Sequence, residues 1–244
     1  MHSKEDALAA LAAAGDRLAE LVQSLGPEDT VRLIPCLGWN VAETAAHVVT
    51  VAGRLLGDRR RSETPDQTGR LNDLCLEEFA DRDPQLLAER LRADLALVVS
   101  RVYPKVDFDR TYPFHGGTII SGGGGAAFFL CELLVHGYDI ATATGRDWSI
   151  AAADAALAVR GPAEFWTRLL EAEELPTLSV IVGDHPPVTF PIRSRAIGAD
   201  LDPDIDPDIG PIEAEGPDLL LAVLGRTVPR DPRLAAVLAE LPQL

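Results

Sequence analysis

The chain has 244 residues, 47% hydrophobic and 25% charged, which is the balance of a globular protein with room for one large core or two smaller ones. Its formal net charge of −16 leaves no basic footprint and argues against nucleic acid and anionic membranes as partners. The three cysteines, Cys36, Cys75 and Cys131, are odd in number and widely spaced, so they read as free cytoplasmic thiols and not as a disulfide framework.

The opening "MHSKEDALAALAAAGDRLAEL" lacks the basic start and unbroken apolar run of a signal peptide, and no stretch is expected to match the roughly 20 apolar residues of a membrane span. Arginine supplies 20 of the 22 basic residues, a usage typical of GC-rich bacterial genomes. Residues 3–26 carry Leu and Ala at helical spacing and stop at Gly26. A second helix is predicted from Asn40, a good cap with Glu43 three residues on, to Gly57. Residues 58–80 are polar and Arg-rich and read as loop with some helix. A third helix is predicted from Asp83-Pro84 to Tyr103, with Leu87, Leu91, Leu95 and Val98 as its apolar stripe. "FHGGTIISGGGG", residues 114–125, has neither the preceding strand nor the Lys-Ser/Thr of a phosphate loop and reads as a mobile loop. A fourth long helix spans about Ala126 to Thr144 and ends at Gly145.

Four long helices with modest connections predict a bundle over residues 1–149. Past Trp148 a helix is expected over about 151–173, then strands in "TLSVIVG" and "VTFPI" around a "GDHPP" turn. The acidic "DLDPDIDPDIG", residues 200–210, lacks the spacing of a calcium loop and reads as solvated chain. "GPDLLLAVLGR" and "DPRLAAVLAELPQL" close the chain as helices. The expected fold class is therefore α+β, with a four-helix bundle followed by a smaller α+β domain over residues 150–244.

Within this frame, "CELLVHGYDIATATG" places Glu132 and His136 one turn apart on one helix face, inside an apolar segment. His47 lies beside the stripe of Val41, Ala45, Val48 and Ala52 on the second helix. If the second and fourth helices pack together, two imidazoles and a carboxylate meet, an adequate donor set for Zn²⁺ with a position left for water or substrate. Asp139, a turn beyond His136, reads as a fourth ligand or as a group orienting a histidine. The alternative is that the Glu/His pair is a surface coincidence and His47 a satisfied core histidine.

Three segments resemble the DinB-like, mycothiol-dependent maleylpyruvate isomerase family. "LGWNVAETAAHVVTVAGRLL" is similar to its second-helix signature of Gly-Trp, a polar helix start and a His before apolar residues. "CELLVHGYDIATATGRDW" is similar to its Glu-x-x-x-His motif followed by Gly, an aromatic, Asp and a closing Gly-Arg. "GPDLLLAVLGR" resembles part of the family's sterol-carrier-like C-terminal domain. The chain departs from the family before Glu132, where "GGGGAAFFLC" replaces a frequent polar or basic residue.

The resemblance implies a metal held by His47, Glu132 and His136, usually zinc, and mycothiol, an actinobacterial thiol, at the open position. In the isomerase, the thiolate adds to an activated cis double bond, the new single bond rotates, and loss of the thiol gives the trans product; related members transfer the thiol. Arg226 then stands as a catalytic and cofactor-binding residue that clamps a carboxylate of substrate or thiol, or as a plain helix-terminal charge, and Trp39 as a cofactor-binding residue packed at the helix start. The implied partners are a small electrophilic acid and the thiol, with the protein a monomer or homodimer. Two other readings remain: a non-enzymatic binding protein with a structural or vestigial metal, and a hydrolase in which Glu43 is the base.

Overall fold

The computed structural model describes residues 3–171, 175–192 and 210–242. The acidic repeat of residues 200–210 lies outside these, apart from Gly210. The N-terminal part is a bundle of α1 (Lys4–Gln23), α3 (Val41–Leu56), α5 (Pro84–Leu97) and α6 (Gly122–Thr144), with a single turn, α2 (Pro27–Thr30), and a helix α4 (Gln67–Glu78) between them. Contacts run from α1 to α5, α5 to α3, α3 to α6 and α6 back to α1, closing a ring. The faces turned inward are those the periodicity marks. Leu87, Leu91, Leu95 and Val98 are buried, as are Val41, Ala45, Val48 and Ala52.

The helix ends follow local chemistry. Asn40 caps α3 by accepting from the Glu43 amide, and Glu43 returns the bond to the Asn40 amide at 2.8 Å. Asp83 caps α5 by accepting from Gln85 and Leu86. The third expected helix does not run on to Tyr103 as one α-helix. It ends at Leu97 and passes through a π turn, Val98–Val102, into a 3-10 turn that contains Pro104.

Residues 114–125 correct the expectation of a loop. β1 (Thr111–Pro113) pairs antiparallel with β2 (Ile119–Ser121), and the turn between them uses Gly116 and Gly117 at φ +70 and +71. Ser121 then caps α6, which starts at Gly122 and not near Ala126. The glycines serve close packing: a Cβ on Gly122 would meet the Asp107 carbonyl, and one on Gly124 the Glu164 carboxylate. That carboxylate accepts from the Ser121 amide and hydroxyl.

α6 also corrects the membrane expectation. It is long and apolar enough to cross a bilayer, but 72% of its most apolar window is buried in the protein, as suits the central helix of a core. Packing reaches it from the chain beyond Trp148 as well. The single helix expected over 151–173 divides into α7 (Ala152–Ala158) and α8 (Arg160–Leu169), with Pro162, which has no amide proton to donate, in the first turn of α8. Both pack on α6. A three-stranded sheet follows, in the order β4 (Val188–Pro191), β3 (Thr177–Ile181), β5 (Ile212–Glu213). β3 and β4 are the antiparallel pair read from sequence, and β5 adds a parallel edge too short to be seen there. α9 (Gly216–Val223) packs on α7 and touches α6, and α10 (Pro232–Ala239) closes the chain.

At Gly161 the α8 backbone lies so close to α6 that a Cβ would meet the backbone of Phe128, which cannot step aside as a flexible side chain can. Gly161→Ala is expected to lower stability by about 1–3 kcal/mol in denaturant unfolding, although alanine is the better helix former by roughly 1 kcal/mol. An unchanged or raised midpoint would mean that the two helices can separate there without loss.

Candidate metal centre

His47 comes from the middle of α3 and Glu132 and His136 from the middle of α6, so the contact between these helices decides the site. The Glu132 Oε2 atom stands between the two imidazoles, 3.4 Å from His47 Nε2 and 3.1 Å from His136 Nε2. The rings meet edge to face with centroids 5.1 Å apart. The His47 and His136 side chains are 4% and 9% exposed and that of Glu132 is 22% exposed, so solvent reaches the cluster along the carboxylate.

A second set of contacts orients His136. Its Nδ1 lies 3.2 Å from Asp139 Oδ2, and Asp139 is gripped by Arg226 through Nε at 3.0 Å and Nη2 at 2.7 Å. Arg226 reaches back because the end of α9 is a Schellman turn. Gly225 sits at φ +71, its amide bonds to the Ala222 carbonyl, and the Arg226 amide bonds to Leu221. The remaining guanidinium nitrogen, Nη1, donates to the Leu224 carbonyl at 2.6 Å. Arg226 therefore holds a carboxylate, as one sequence reading has it, but one belonging to the protein, and it also satisfies its own helix end, as the other has it.

Trp39 stands against His47 with ring centroids 4.8 Å apart and donates its indole N–H to Asp73 on α4 at 3.1 Å. His47 Nδ1 is buried without a hydrogen-bond partner among the described residues, so ring stacking holds this imidazole where a second carboxylate holds His136.

The electrostatics follow from these contacts. Burial raises the pKa of Glu132, but the two imidazoles outweigh it and hold the group well below the usual carboxylate range. Burial lowers His136, but hydrogen bonds with Asp139 and Glu132 outweigh it and raise the imidazole to about 9. Burial dominates at His47 and lowers it. Without a metal, His136 is thus a cation between two carboxylates.

The donor set fits a divalent metal. One atom from each of His47, Glu132 and His136 lies within 4.8 Å of the others, and among the described residues these are the only three His, Cys, Asp or Glu side chains grouped in this way. Two imidazoles and a carboxylate suit zinc and leave a tetrahedral shell one donor short. Asp139 is turned to the far nitrogen of His136, which is the position of an orienting group.

The other residues singled out in the sequence fall partly as read and partly not. Glu43 is spent on the α3 cap, which removes the basis for a role as hydrolytic base. Cys131 is buried and its thiol is pushed well up by burial. Cys75 lies on α4 and is buried, not in a loop. Cys36 is exposed, with its sulfur 4.0 Å from Asp139 Oδ1, a proximity with no signal in the spacing. Phe129 is core, and Phe128 forms an aromatic cluster with Phe114 and Phe165. The reach of α4 over the site, through Asp73, was also missed, because its polar sequence reads as loop.

Three outcomes follow. A raised histidine stabilises the fold fully below its unfolded pKa of 6.5 and loses that contribution as pH passes about 9, so the metal-free protein should weaken over this window in urea unfolding. A metal must displace the same proton, so the melting-temperature gain on adding zinc should grow from about pH 6.5 to about pH 8.5; a flat gain would mean that His136 is not a ligand. Removing the grip on Asp139 with Arg226→Met should weaken zinc binding by roughly 10–100-fold in a chelator competition, and an unchanged affinity would show that the metal does not depend on that anchor.

The family model described as mycothiol maleylpyruvate isomerase N-terminal domain matches residues 11–141, which include all three clustered side chains. Neither curated proteins nor solved structures yield a match. Because the matched segment spans more than half of the sequence, the chain belongs to the mycothiol maleylpyruvate isomerase N-terminal domain family.

Proposed function

We propose that the protein is a metal-dependent enzyme that uses mycothiol to isomerise a small electrophilic acid or to transfer the thiol to it. The observation that carries this reading is the family match over the segment in which His47, Glu132 and His136 converge. These three residues would hold the metal, with zinc the best fit to the donors. A bound zinc ion lowers the pKa of a coordinated thiol, so that thiolate is available near neutral pH.

The chain's own residues supply position and access. Asp139, anchored by Arg226, keeps the His136 ring turned so that Nε2 faces the centre. Trp39 stacks on His47 and forms a wall of the cofactor side. The partial exposure of Glu132 marks the approach for thiol and acid. In this reading Arg226 is a positioning residue, and the setting is cytoplasmic.

A variant with Cys36, Cys75 and Cys131 replaced by Ser or Ala, loaded with zinc and assayed with a cis-enedione acid, is expected to turn over only when mycothiol is added. His136→Ala should lose most of the metal by elemental analysis, and the turnover with it, because two remaining ligands hold zinc poorly. Turnover by the unmodified protein without any external thiol would sink the reading, and so would full zinc occupancy in His136→Ala.

A further inference from the structure

The chain carries 38 acidic side chains, yet among the described residues none is in salt-bridge contact with one buried arginine. Arg54 lies seven residues after His47 on α3, which puts it on the same helix face about 10 Å along the axis. It is 8% exposed. Its Nη2 donates to Asn72 Oδ1 at 2.7 Å and to Cys75 Sγ at 3.5 Å, both on α4 and neither a carboxylate. Its Nε is buried with no partner among the described residues. The acids within reach are committed elsewhere, since Arg60 takes both Asp58 and Glu78 at 2.7 Å. A buried guanidinium is normally matched by a carboxylate, because an uncompensated charge in the interior is costly.

Two further donors belong to the same corner. Arg61 is half-buried and uses Nη1 on the backbone carbonyls of Asp58 and Arg60; the Asp58 carboxylate acts on it from a distance, and among the described residues no carboxylate is in salt-bridge contact with it. His115 accepts the Ser62 amide on Nδ1 at 3.3 Å, which leaves its proton on Nε2, a donor with no partner among the described residues. The Ser62 hydroxyl accepts from the Gly116 amide at 2.9 Å, tying this turn to the loop that carries Arg61. Burial first, then the charges of Arg54 and Arg61, push the pKa of His115 down to about 4, so at neutral pH it offers an N–H without adding charge. The charges of His47 and Glu132 also act on His115, and that of Arg54 acts on His47, so the corner and the metal centre share one electrostatic neighbourhood.

We infer that Arg54, Arg61 and His115 form an anion-binding subsite beside the metal centre, which takes a carboxylate of the small acid substrate. The substrate assignment rests on the proposed function, whereas the anion site rests on two arginines that no carboxylate contacts among the described residues and on the partnerless Nε of Arg54. Planar guanidinium groups with free N–H donors match a carboxylate, and the anion supplies the missing counter-charge.

The test is binding of maleate, with neutral maleamide as control, measured by calorimetry and thermal shift on zinc-loaded and metal-free protein. Maleate is expected to bind and raise the melting temperature in both forms, and maleamide in neither. Arg54→Met should weaken maleate binding by roughly 10–100-fold while leaving the ligand-free melting temperature equal or higher, because a buried charge without a counter-ion has been removed. If Arg54 only ties α3 to α4, Arg54→Met will instead lower the melting temperature and leave maleate binding unchanged, which overturns the inference. Should that variant fail to fold, Arg61→Met carries the same comparison, and unchanged maleate affinity there overturns it equally. Maleate that binds only with zinc present and ignores both substitutions sits on the metal, which overturns the subsite and leaves the proposed function standing. Arginine-dependent maleate binding in a protein without thiol-dependent turnover would uphold the subsite as an anion site and remove the substrate assignment.

Discussion

One carboxylate oxygen sets the terms for the core of the bundle. Glu132 Oε2 lies within 3.4 Å of imidazole nitrogens from two different helices, and both imidazoles are almost wholly buried. Polar groups at such depth are tolerable only when partnered, so α3 and α6 are pinned in register at this level. The partnership is electrostatically one-sided: two carboxylates, those of Glu132 and Asp139, face one imidazole that they keep protonated. A metal ion would replace that proton with a larger charge at the point where three donors already converge.

The centre does not stop at the bundle. His136 is held through Asp139 by Arg226, which lies 87 residues further along the chain, just past the left-handed Gly225. The orientation of His136, a candidate ligand on the central helix, is therefore set partly by the geometry of a distant helix end. Small residues make the approach possible. Gly137 takes the Trp148 indole against the backbone of α6, Gly161 takes the Phe128 backbone, and Gly216 takes the Ala152 carbonyl. With side chains at these points, the elements beyond residue 150 could not seat as closely on the bundle.

The roof of the site is made by residues that look unremarkable in sequence. α4 is polar and buries only Cys75 and Leu76, yet its Asp73 holds Trp39 and its Asn72 holds Arg54. It meets the bundle at these two polar contacts, one from Trp39 just before α3 and one from Arg54 within it.

Much of this was legible in the sequence, because local rules suffice for it. The capping pairs at Asn40 and Asp83, the apolar stripes of α3 and α5, and the four-residue spacing of Glu132 and His136 are properties of a few neighbouring residues and one helical period. The four bundle helices, the β3–β4 hairpin and the candidate ligand set follow from them, with family resemblance linking His47 to the other two. Elements set by distant contacts were not legible. The glycine run at 122–125 reads as loop until Asp107 and Glu164 are seen pressing on it. The two-residue β5 exists only because β3 is there to pair with it. Arg226 offers the same spacing whether it clamps a ligand or ends a helix, and the proximity of Asp139 decided what it holds. Sequence carries the periodicity of each element, whereas the partner of a long side chain depends on how elements far apart in the chain are brought together, and only the tertiary structure contains that.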